Sequence, residues 1–323
     1  MCRFYSLFYS FLFLIHLNCL VGEEVNKEER VSSEKTYHFY CTVADERHFP
    51  QLMNLIGSIH KNDFDHLDEI AVFDIGLSKE QLDYITTIEK VKVIPIEKKH
   101  PDITKYFATD PNGRSVRGWY AWKPVLFKQG LDLYPYFIYL DAGSLVLTSP
   151  DDLFQHLKQN GYFLIQISPH YIEERVTKPV IEKVVNKLPK EQGEFLLTKD
   201  AYMIDAGFQG ISRKVLETYV LPMYNNVVDL ELFADNGSSR MGFGAGRHDQ
   251  TLFSIYAHAN KMAMNGQGWS NLKIDGKSVP FHMHWDRNEL NPQTCIYRSR
   301  CDYNYQGSKI GFIHWKKPLE GQN

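Results

Sequence analysis

Short apolar runs alternate with amphipathic segments through the first half of the chain. Apolar residues recur at helical spacing between residues 49 and 59, where Phe49, Leu52 and Ile56 share one helix face. Runs such as residues 70–73 are short and uniformly apolar, which predicts buried strands. Because strands that alternate with helices are usually parallel, the pattern predicts an α/β fold. The predicted strands are residues 37–43, 70–73, 91–94 and 137–141, and the predicted helices lie near residues 49–59, 79–88 and 122–131.

The predicted strand at residues 137–141 ends in the most informative polar residue of the chain. An apolar, aromatic run stops abruptly at Asp141, and the small residues Ala142 and Gly143 follow. Open α/β sheets place ligand groups at the carboxyl ends of central strands, and small residues let a ligand approach the backbone. The alternative is an aspartate that only closes the strand and accepts a hydrogen bond from its own backbone.

A helix is predicted to begin shortly after this strand. Ser149 is the predicted N-cap and Pro150 the first helical residue, with Asp151 and Asp152 in the first turn.

The N-terminal residues differ in character from the rest of the chain. Arg3 precedes an almost unbroken apolar stretch over residues 4–21, and Glu23 and Glu24 follow it. This pattern is typical of a cleaved signal peptide, which we favour, or of a single N-terminal anchor, over residues 1–22. Residues 23–35 are charged and polar, which predicts a linker. Either reading predicts a protein of the secretory-pathway lumen or another extracytoplasmic compartment, with membrane contact only through this segment.

Charge and cysteine usage narrow the classes of partner. The formal net charge is −3 and no long basic run is present, which argues against nucleic acid. Cys295 and Cys301 are close enough in sequence to form a disulfide in an oxidising compartment, whereas Cys41 lies in a predicted strand and reads as a buried residue.

Four further motifs place polar residues at the ends of predicted elements. The first strand ends at Ala44 and Asp45. A later strand, residues 202–211, is interrupted by Asp205-Ala206-Gly207, and a helix opens with Asp249 and Gln250. Finally, residues 310–314 predict a short strand that ends in His314, followed by Lys316 and Lys317.

This order of motifs resembles the retaining glycosyltransferases of the glycogenin and lipopolysaccharide galactosyltransferase family. The resemblance runs from about Tyr37 to Pro318 and implies one GT-A domain over residues 36–319, with a central mixed, mostly parallel sheet flanked by helices. It also implies a nucleotide sugar donor, with a UDP-sugar favoured, and a carbohydrate, lipid or protein acceptor. The matching positions are Val43-Ala44-Asp45, Tyr139-Leu140-Asp141, Asp205-Ala206-Gly207 in place of Asn-Ala-Gly, Asp249-Gln250, and His314 with Lys317-Pro318.

A divalent metal is expected at the donor diphosphate, because such transfer needs its developing charge neutralised. The resemblance implies Mn²⁺ or Mg²⁺ held by Asp141 and His314. One departure matters, since the second aspartate of the Asp-x-Asp motif is missing and the chain reads Asp141-Ala142-Gly143. The alternative is that lysine and arginine side chains replace the metal.

The resemblance also assigns residues to the chemistry and to the donor. The candidate catalytic residues are Asp205, Asp249 and Gln250, and the weakly basic amide of Gln250 favours retention of configuration. Asp205 is the rival, because a carboxylate there could act as a base or nucleophile. Lys123 and Arg117 compete for the role of basic donor-site residue. The candidate nucleotide-sugar residues are Ala44, Asp45, Arg117, Lys123, Asp141, Ala142, Gly143, Gly207 and Lys317.

Two other functions fit parts of the pattern. A catalytically inactive relative that binds nucleotide or carbohydrate would explain the eroded Asp-x-Asp motif. A sugar-phosphate nucleotidyltransferase would need a glycine-rich basic loop after the first strand, and residues 45–48 contain no glycine. The sequence thus favours a glycosyltransferase, with the inactive binding relative as its alternative.

Overall fold

A computed structural model describes residues 36–109, 112–284, 293–298 and 310–316. The predicted signal or anchor segment, the polar linker and Lys317 lie outside these residues, so the expectations attached to them stay predictions. In the part of the chain that is described, no helix combines the length and apolar character needed to cross a membrane.

Strands and helices alternate as the hydrophobic pattern predicts. The strands are β1 (His38–Ala44), β2 (Leu67–Asp74), β3 (Val91–Pro95), β4 (Tyr106–Ala108), β5 (Ser115–Arg117), β6 (Tyr136–Leu140), β7 (Ser144–Val146), β8 (Tyr162–Tyr171), β9 (Tyr202–Ser212), β10 (Gly268–Ile274), β11 (Lys277–His284) and β12 (Ile296–Arg298). The helices are α1 (Phe49–Asp63), α2 (Lys79–Thr86), α3 (Trp122–Leu133), α4 (Asp151–Asn160), α5 (Ile172–Arg175), α6 (Lys178–Lys183), α7 (Lys190–Leu196), α8 (Leu221–Asn226) and α9 (His248–Ala259).

A six-stranded sheet in the order β3-β2-β1-β6-β9-β8 forms the centre of the fold. The pairs from β3 through β6 are parallel, whereas β9 runs antiparallel to both β6 and β8. The predicted α/β class with a mixed, mostly parallel sheet is therefore confirmed. Because β1 and β6 are parallel neighbours, the residues that follow them lie at the same edge, which we call the carboxyl edge.

Each face of the central sheet is covered by a separate apolar core. Along β6, Phe137 and Tyr139 join the core that contains α3 and α9, while Ile138 and Leu140 join the core that contains α1 and α4. This alternation follows from the pleat of a strand, which points successive side chains to opposite faces. A strand buried on both faces must be apolar throughout, and all five residues of β6 are buried.

Two smaller sheets accompany the central one. A four-stranded sheet has the order β10-β11-β12-β7, and β7 follows directly after Asp141 along the chain. The hairpin β4-β5 precedes α3 and ends in Arg117.

Two local predictions are wrong. Residues 310–312 form a 3₁₀ turn rather than a strand, and only Trp315 beyond it makes an isolated bridge, to Ile88. Ser149 does not cap α4, because its hydroxyl donates instead to Asp63 at 2.9 Å. In both cases a distant contact decided the local structure.

The turn that leads into α3 is strained. Gly118, Trp119 and Tyr120 all have positive φ, at 53°, 52° and 62°. At Gly118 a Cβ would lie 1.9 Å from the carbonyl oxygen of Ile103, so only glycine fits. A positive φ at a residue other than glycine lowers the stability of the fold, and such residues are found often near functional sites. This turn joins Arg117 to the helix that carries Lys123.

We expect Gly118→Ala to lower the free energy of unfolding by about 2 kcal/mol or more, since both the backbone conformation and the contact with Ile103 oppose a side chain. The matched control is Gly266→Ala, where a Cβ meets no atom within 4 Å, and its effect should stay within about 0.5 kcal/mol. Urea unfolding measures both. Equal stability of the two variants would contradict the close approach at Gly118.

Candidate active site at the carboxyl edge of the sheet

The motifs around Asp141 and Asp205 meet because β6 and β9 pair. The backbone N–H of Asp141 donates to the carbonyl of Gly207 at 2.9 Å, which continues the register that aligns Leu140 with Phe208. Residues more than sixty positions apart in sequence are thereby neighbours, as the predicted site required.

Lys123 lies at the centre of this site. Its ammonium is 3.3 Å from Asp141 Oδ1 and 3.2 Å from Asp249 Oδ2, and it donates to the carbonyl of Ala206 at 3.0 Å. The lysine side chain is only 4% exposed. A buried ammonium must be paired with carboxylates or carbonyls, because an isolated charge is strongly disfavoured away from water. Of the two basic residues the sequence left in competition, Lys123 is therefore the one that contacts Asp141.

Asp141 is the carboxylate of this group that solvent reaches. Its side chain is 32% exposed, compared with 6% for Asp249. The hydroxyl of Tyr139 donates to Asp141 Oδ1 at 2.5 Å. Tyr139 lies two residues before Asp141, and the alternation of strand side chains could have identified it as a partner. Two donors thus hold Asp141 in place while part of it faces outward.

Asp249 has a strongly altered acidity. Burial raises its pKa from the usual 3.8 to about 6; the Lys123 ammonium opposes this rise, and the nearby Asp141 carboxylate adds to it. Burial also raises the pKa of Tyr120, with contributions from the same two aspartates. Titratable groups with shifted pKa values are concentrated at this edge, which is common at functional sites.

Asp45 organises a second polar group at the end of β1. Its Oδ1 accepts hydrogen bonds from the backbone of Arg47 and His48 and from the His48 ring, and its Oδ2 accepts from Tyr106 at 2.6 Å and Arg117 Nε at 3.0 Å. Burial alone would raise the pKa of Asp45, but the hydrogen bonds from His48, Tyr106 and Arg117 outweigh it and hold the pKa well below its usual range. Asp45 therefore positions its neighbours, since its own oxygens are engaged.

Two arginines lie over the Tyr106 ring. The guanidinium of Arg47 lies 4.0 Å from the ring centroid and that of Arg117 lies 4.1 Å from it. Cation–π stacking keeps the two cations close together despite their repulsion. Arg47 and Tyr106 were missed by the sequence reasoning, because no motif connects a helical-turn arginine with a tyrosine sixty positions away. The Arg47–Tyr106–Arg117 stack thus brings two cations to one ring, and Arg117 is also paired with Asp45.

The structure ties Asp205 and Gln250 to the backbone. Asp205 is 1% exposed and its Oδ1 accepts from the N–H of Gly207 at 2.8 Å. Gln250 donates its amide to the carbonyl of Ile204 at 2.6 Å. Both residues therefore lie beside Asp141, and Asp205 is too enclosed to reach an acceptor hydroxyl. The predicted interruption at Asp205-Ala206-Gly207 is wrong, because β9 continues through these residues with a register irregularity against β8.

The small residues surround Asp141 on two sides. Ala44 and Ala142 are buried in the core that contains α1 and α4. The carbonyl of Ala44 accepts a hydrogen bond from the N–H of Ile75 at 3.2 Å. At Gly143 an added Cβ would meet no atom within 4 Å. Open space thus adjoins Asp141 on the side of Gly143.

His314 is not brought together with Asp141. Its ring stacks on Phe64 at 3.9 Å between centroids, and its backbone N–H donates to the ring of His60 at 3.0 Å. His60 and Phe64 lie at the end of α1, and α1 begins at the carboxyl edge and runs back to the opposite one. The predicted pairing of these residues around one ion is therefore wrong for this structure, because a helix length separates them.

A metal does not fit well at Asp141 among the described residues. Asp141 and Asp249, the two carboxylates that converge there, already share the Lys123 ammonium. His314, the histidine expected as a ligand, packs against the end of α1 instead. The alternative in which fixed cations take the place of a metal agrees better with this geometry. A group that could hold a divalent ion does occur in the described chain, at the opposite edge, formed by His38, Asp63, His66 and Asp151.

Comparison with known proteins found matches only among solved structures. No protein-family model matches the chain, and no curated protein sequence matches it significantly. Mouse xyloside xylosyltransferase 1 is 12% identical, with a TM-score of 0.43 over 82% of this chain and 98% of that chain. Galactosyltransferase LgtC, solved with donor and acceptor sugar analogues, is 13% identical, with a TM-score of 0.40 over 68% and 70%.

A third similar structure is core-mannan synthase A from Aspergillus fumigatus, solved with Mn and GDP. It is 10% identical, with a TM-score of 0.43 over 72% of this chain and 73% of that chain. Two of these three structures are named as sugar transferases, a xylosyltransferase and a galactosyltransferase.

The raised pKa of Asp249 makes a specific prediction for stability. Because folded Asp249 binds its proton more tightly than unfolded Asp249, its contribution to stability falls as the pH rises from about 4 to about 6. Asp249→Asn removes this titration. The free energy of unfolding of the variant minus that of the native chain should therefore increase as the pH rises across that window, whatever its starting value. Urea unfolding at a series of pH values measures the difference.

The control for this experiment is Asp132→Asn, which removes an exposed aspartate, 57% accessible, at the far end of α3. Its stability difference from the native chain should vary little over the same pH range. Parallel stability curves for Asp249→Asn and the native chain would show that Asp249 is not held at a raised pKa.

Proposed function

We propose that this protein is a glycosyltransferase that uses a nucleoside diphosphate sugar. The observation that carries the proposal is the Lys123 ammonium buried between Asp141 and Asp249 at the carboxyl edge, in a fold whose motifs follow the order of that enzyme class. Open α/β sheets bind ligands at this edge. Four of the five motifs lie at this edge and support the proposal. The fifth, at His314, lies elsewhere and does not support it.

The chemistry divides between two groups of side chains. Transfer breaks the bond from the anomeric carbon to the diphosphate and forms one to the acceptor oxygen, so negative charge grows on the leaving diphosphate. The stacked arginines Arg47 and Arg117 are the fixed cations suited to bind that charge. Asp141, held by Lys123 and Tyr139, is suited to accept a hydrogen bond from a sugar hydroxyl in the open space beside Gly143. We propose UDP-sugars as the first donors to test.

The central experiment combines donor screening with Asp141→Asn. The native chain should release nucleoside diphosphate from one UDP- or GDP-sugar, and Asp141→Asn should lower that rate at least about 100-fold, because a lost site interaction worth about 3 kcal/mol has this effect. Release is measured by a coupled assay with and without Mn²⁺ or Mg²⁺. Asp132→Asn is the control with unchanged activity, and circular dichroism checks that both variants are folded. Full activity of Asp141→Asn would remove this site from the mechanism.

The second candidate function is that of an inactive relative that binds nucleotide or carbohydrate. Its specific support is the Lys123 ammonium in the position between two carboxylates, where a metal would otherwise lie. Thermal shift with nucleotides and nucleotide sugars separates the two functions, since a bound ligand raises the unfolding temperature. Binding without release of the diphosphate would favour the inactive relative, and absence of binding would exclude both functions.

We further propose that transfer retains the anomeric configuration. Inversion by a single displacement needs an exposed carboxylate as general base beside the acceptor. The main rival for that role, Asp205, is buried and hydrogen-bonded to Gly207, and Asp249 is buried against Lys123. In retention the acceptor oxygen bonds on the face that the diphosphate leaves, and the departing diphosphate oxygen takes the acceptor proton. NMR of the anomeric proton in the product should show the donor's configuration, and the opposite configuration would return Asp205 to the role of base.

A further inference from the structure

A compact group of histidines and aspartates lies at the edge of the sheet opposite Asp141. We call it the amino-edge cluster, formed by His38, Asp63, His66 and Asp151. His38 opens β1, Asp63 ends α1, His66 lies in the loop before β2, and Asp151 opens α4. One nitrogen or oxygen atom from each residue lies within 4.8 Å of the others. None of these residues belongs to the site of the proposed function.

Asp63 fixes the ring of His38. Nδ1 of His38 is 2.9 Å from both carboxylate oxygens of Asp63, which also accept from Tyr40 at 2.5 Å and Ser149 at 2.9 Å. Since an ionised carboxylate only accepts hydrogen bonds, the proton in this contact belongs to Nδ1 of His38. The ring is further held by stacking on Phe154, 4.0 Å away. In the neutral ring, Nε2 is left with a lone pair.

Nε2 of His38 lies close to a carboxylate oxygen. Nε2 of His38 is completely buried, makes no hydrogen bond within the described residues, and lies 3.2 Å from Oδ1 of Asp151. Nδ1 of His66 lies 2.8 Å from the same oxygen. A ring-nitrogen lone pair and a carboxylate oxygen this close together repel each other unless a cation near both of them offsets the repulsion. A separation near 3.3 Å is also that of two ligands about 2.0 Å from one tetrahedral ion.

We propose that the amino-edge cluster binds a divalent transition-metal ion of the Zn²⁺ class. His38 Nε2, His66 Nδ1 and the Asp151 carboxylate are the ligands, and Asp63 orients His38 from behind. Imidazole ligands favour zinc and similar ions over Mg²⁺ or Ca²⁺, which prefer oxygen. A carboxylate that accepts the second N–H of a ligating histidine is the usual support in such sites.

The ion would connect three elements of the fold. His38 is buried, but His66 is 52% exposed and Asp151 41% exposed, so solvent has a path to the ligands. Three protein ligands leave one position of a tetrahedron for water. A site of this kind joins β1, the loop before β2 and the start of α4, and metal binding to the folded state alone stabilises it.

The experiment is calorimetric titration of the chelator-treated full chain with ZnCl₂. We expect one site whose affinity falls at least about 10-fold in His66→Ala and in Asp151→Asn, the loss typical when a metal site is disturbed. Both substituted side chains are partly exposed, so the variants should fold. Asp152→Asn is the matched control, because it removes the neighbouring exposed carboxylate in the same first turn of α4 and should leave the affinity unchanged.

Further measurements separate this site from other histidines and from the proposed active site. Co²⁺ should give the visible absorption of a four-coordinate ion, and His66→Ala should remove it. Asp141→Asn should keep full Zn²⁺ affinity whether or not it abolishes transfer. The proposal is overturned if Zn²⁺ does not bind, or if His66→Ala and Asp151→Asn bind as tightly as the native chain.

Discussion

The site depends on one buried cation. The ammonium of Lys123 is almost completely enclosed, and it is held by Asp141, Asp249 and the carbonyl of Ala206. Each of these partners comes from a different element, so the ion group joins α3, the end of β6, the middle of β9 and the start of α9. Removing one partner of a buried ion pair typically costs about 3–5 kcal/mol, since the other charge is left without compensation. The arrangement of the carboxyl edge therefore follows from the need to satisfy this charge.

The same constraint explains why the acidities differ within so small a space. Asp141 shares the lysine but remains partly hydrated, whereas Asp249 is enclosed and its pKa rises to about 6. Asp45, nearby on the same edge, is also buried but accepts several hydrogen bonds, and its pKa falls. Burial alone does not set the charge of a carboxylate, because the number of donors around it decides the sign of the shift. The edge thus carries aspartates with separate roles, one facing outward and two that organise their neighbours.

The sheet has polar groups at both of its edges, and they are built differently. At the carboxyl edge the cation belongs to the protein, as Lys123 and the stacked arginines Arg47 and Arg117. At the amino edge the described residues contribute two histidines and two aspartates, and Nε2 of His38 makes no hydrogen bond there. Both groups join elements that are distant in sequence. They differ in that a lysine and two arginines contribute to the carboxyl edge, whereas histidines contribute to the amino edge.

Local pattern determined the elements of this protein. The apolar run that ends at Asp141 is a strand buried on both faces, and the strand–helix alternation is enough to imply parallel neighbours and hence a shared carboxyl edge. Those inferences needed only nearest-neighbour periodicity, because a pleat or a helical turn repeats within a few residues. They placed Asp45 and Asp141 at one edge, and the resemblance added Asp249 to the same site.

Only the tertiary structure decided which side chains meet. Lys123 donates to the carbonyl of Ala206, 83 positions away. Arg47 and Arg117 both contact Tyr106, which no sequence motif identifies. His314 packs against the end of α1 at the opposite edge, although the sequence predicts it at the carboxyl edge. Ser149 is predicted from the sequence to be a helix cap, but its hydroxyl donates a hydrogen bond to Asp63 instead. The reason is physical: a polar group is placed by whichever partner offsets its desolvation, and such partners come from strand order and register, which local periodicity does not specify.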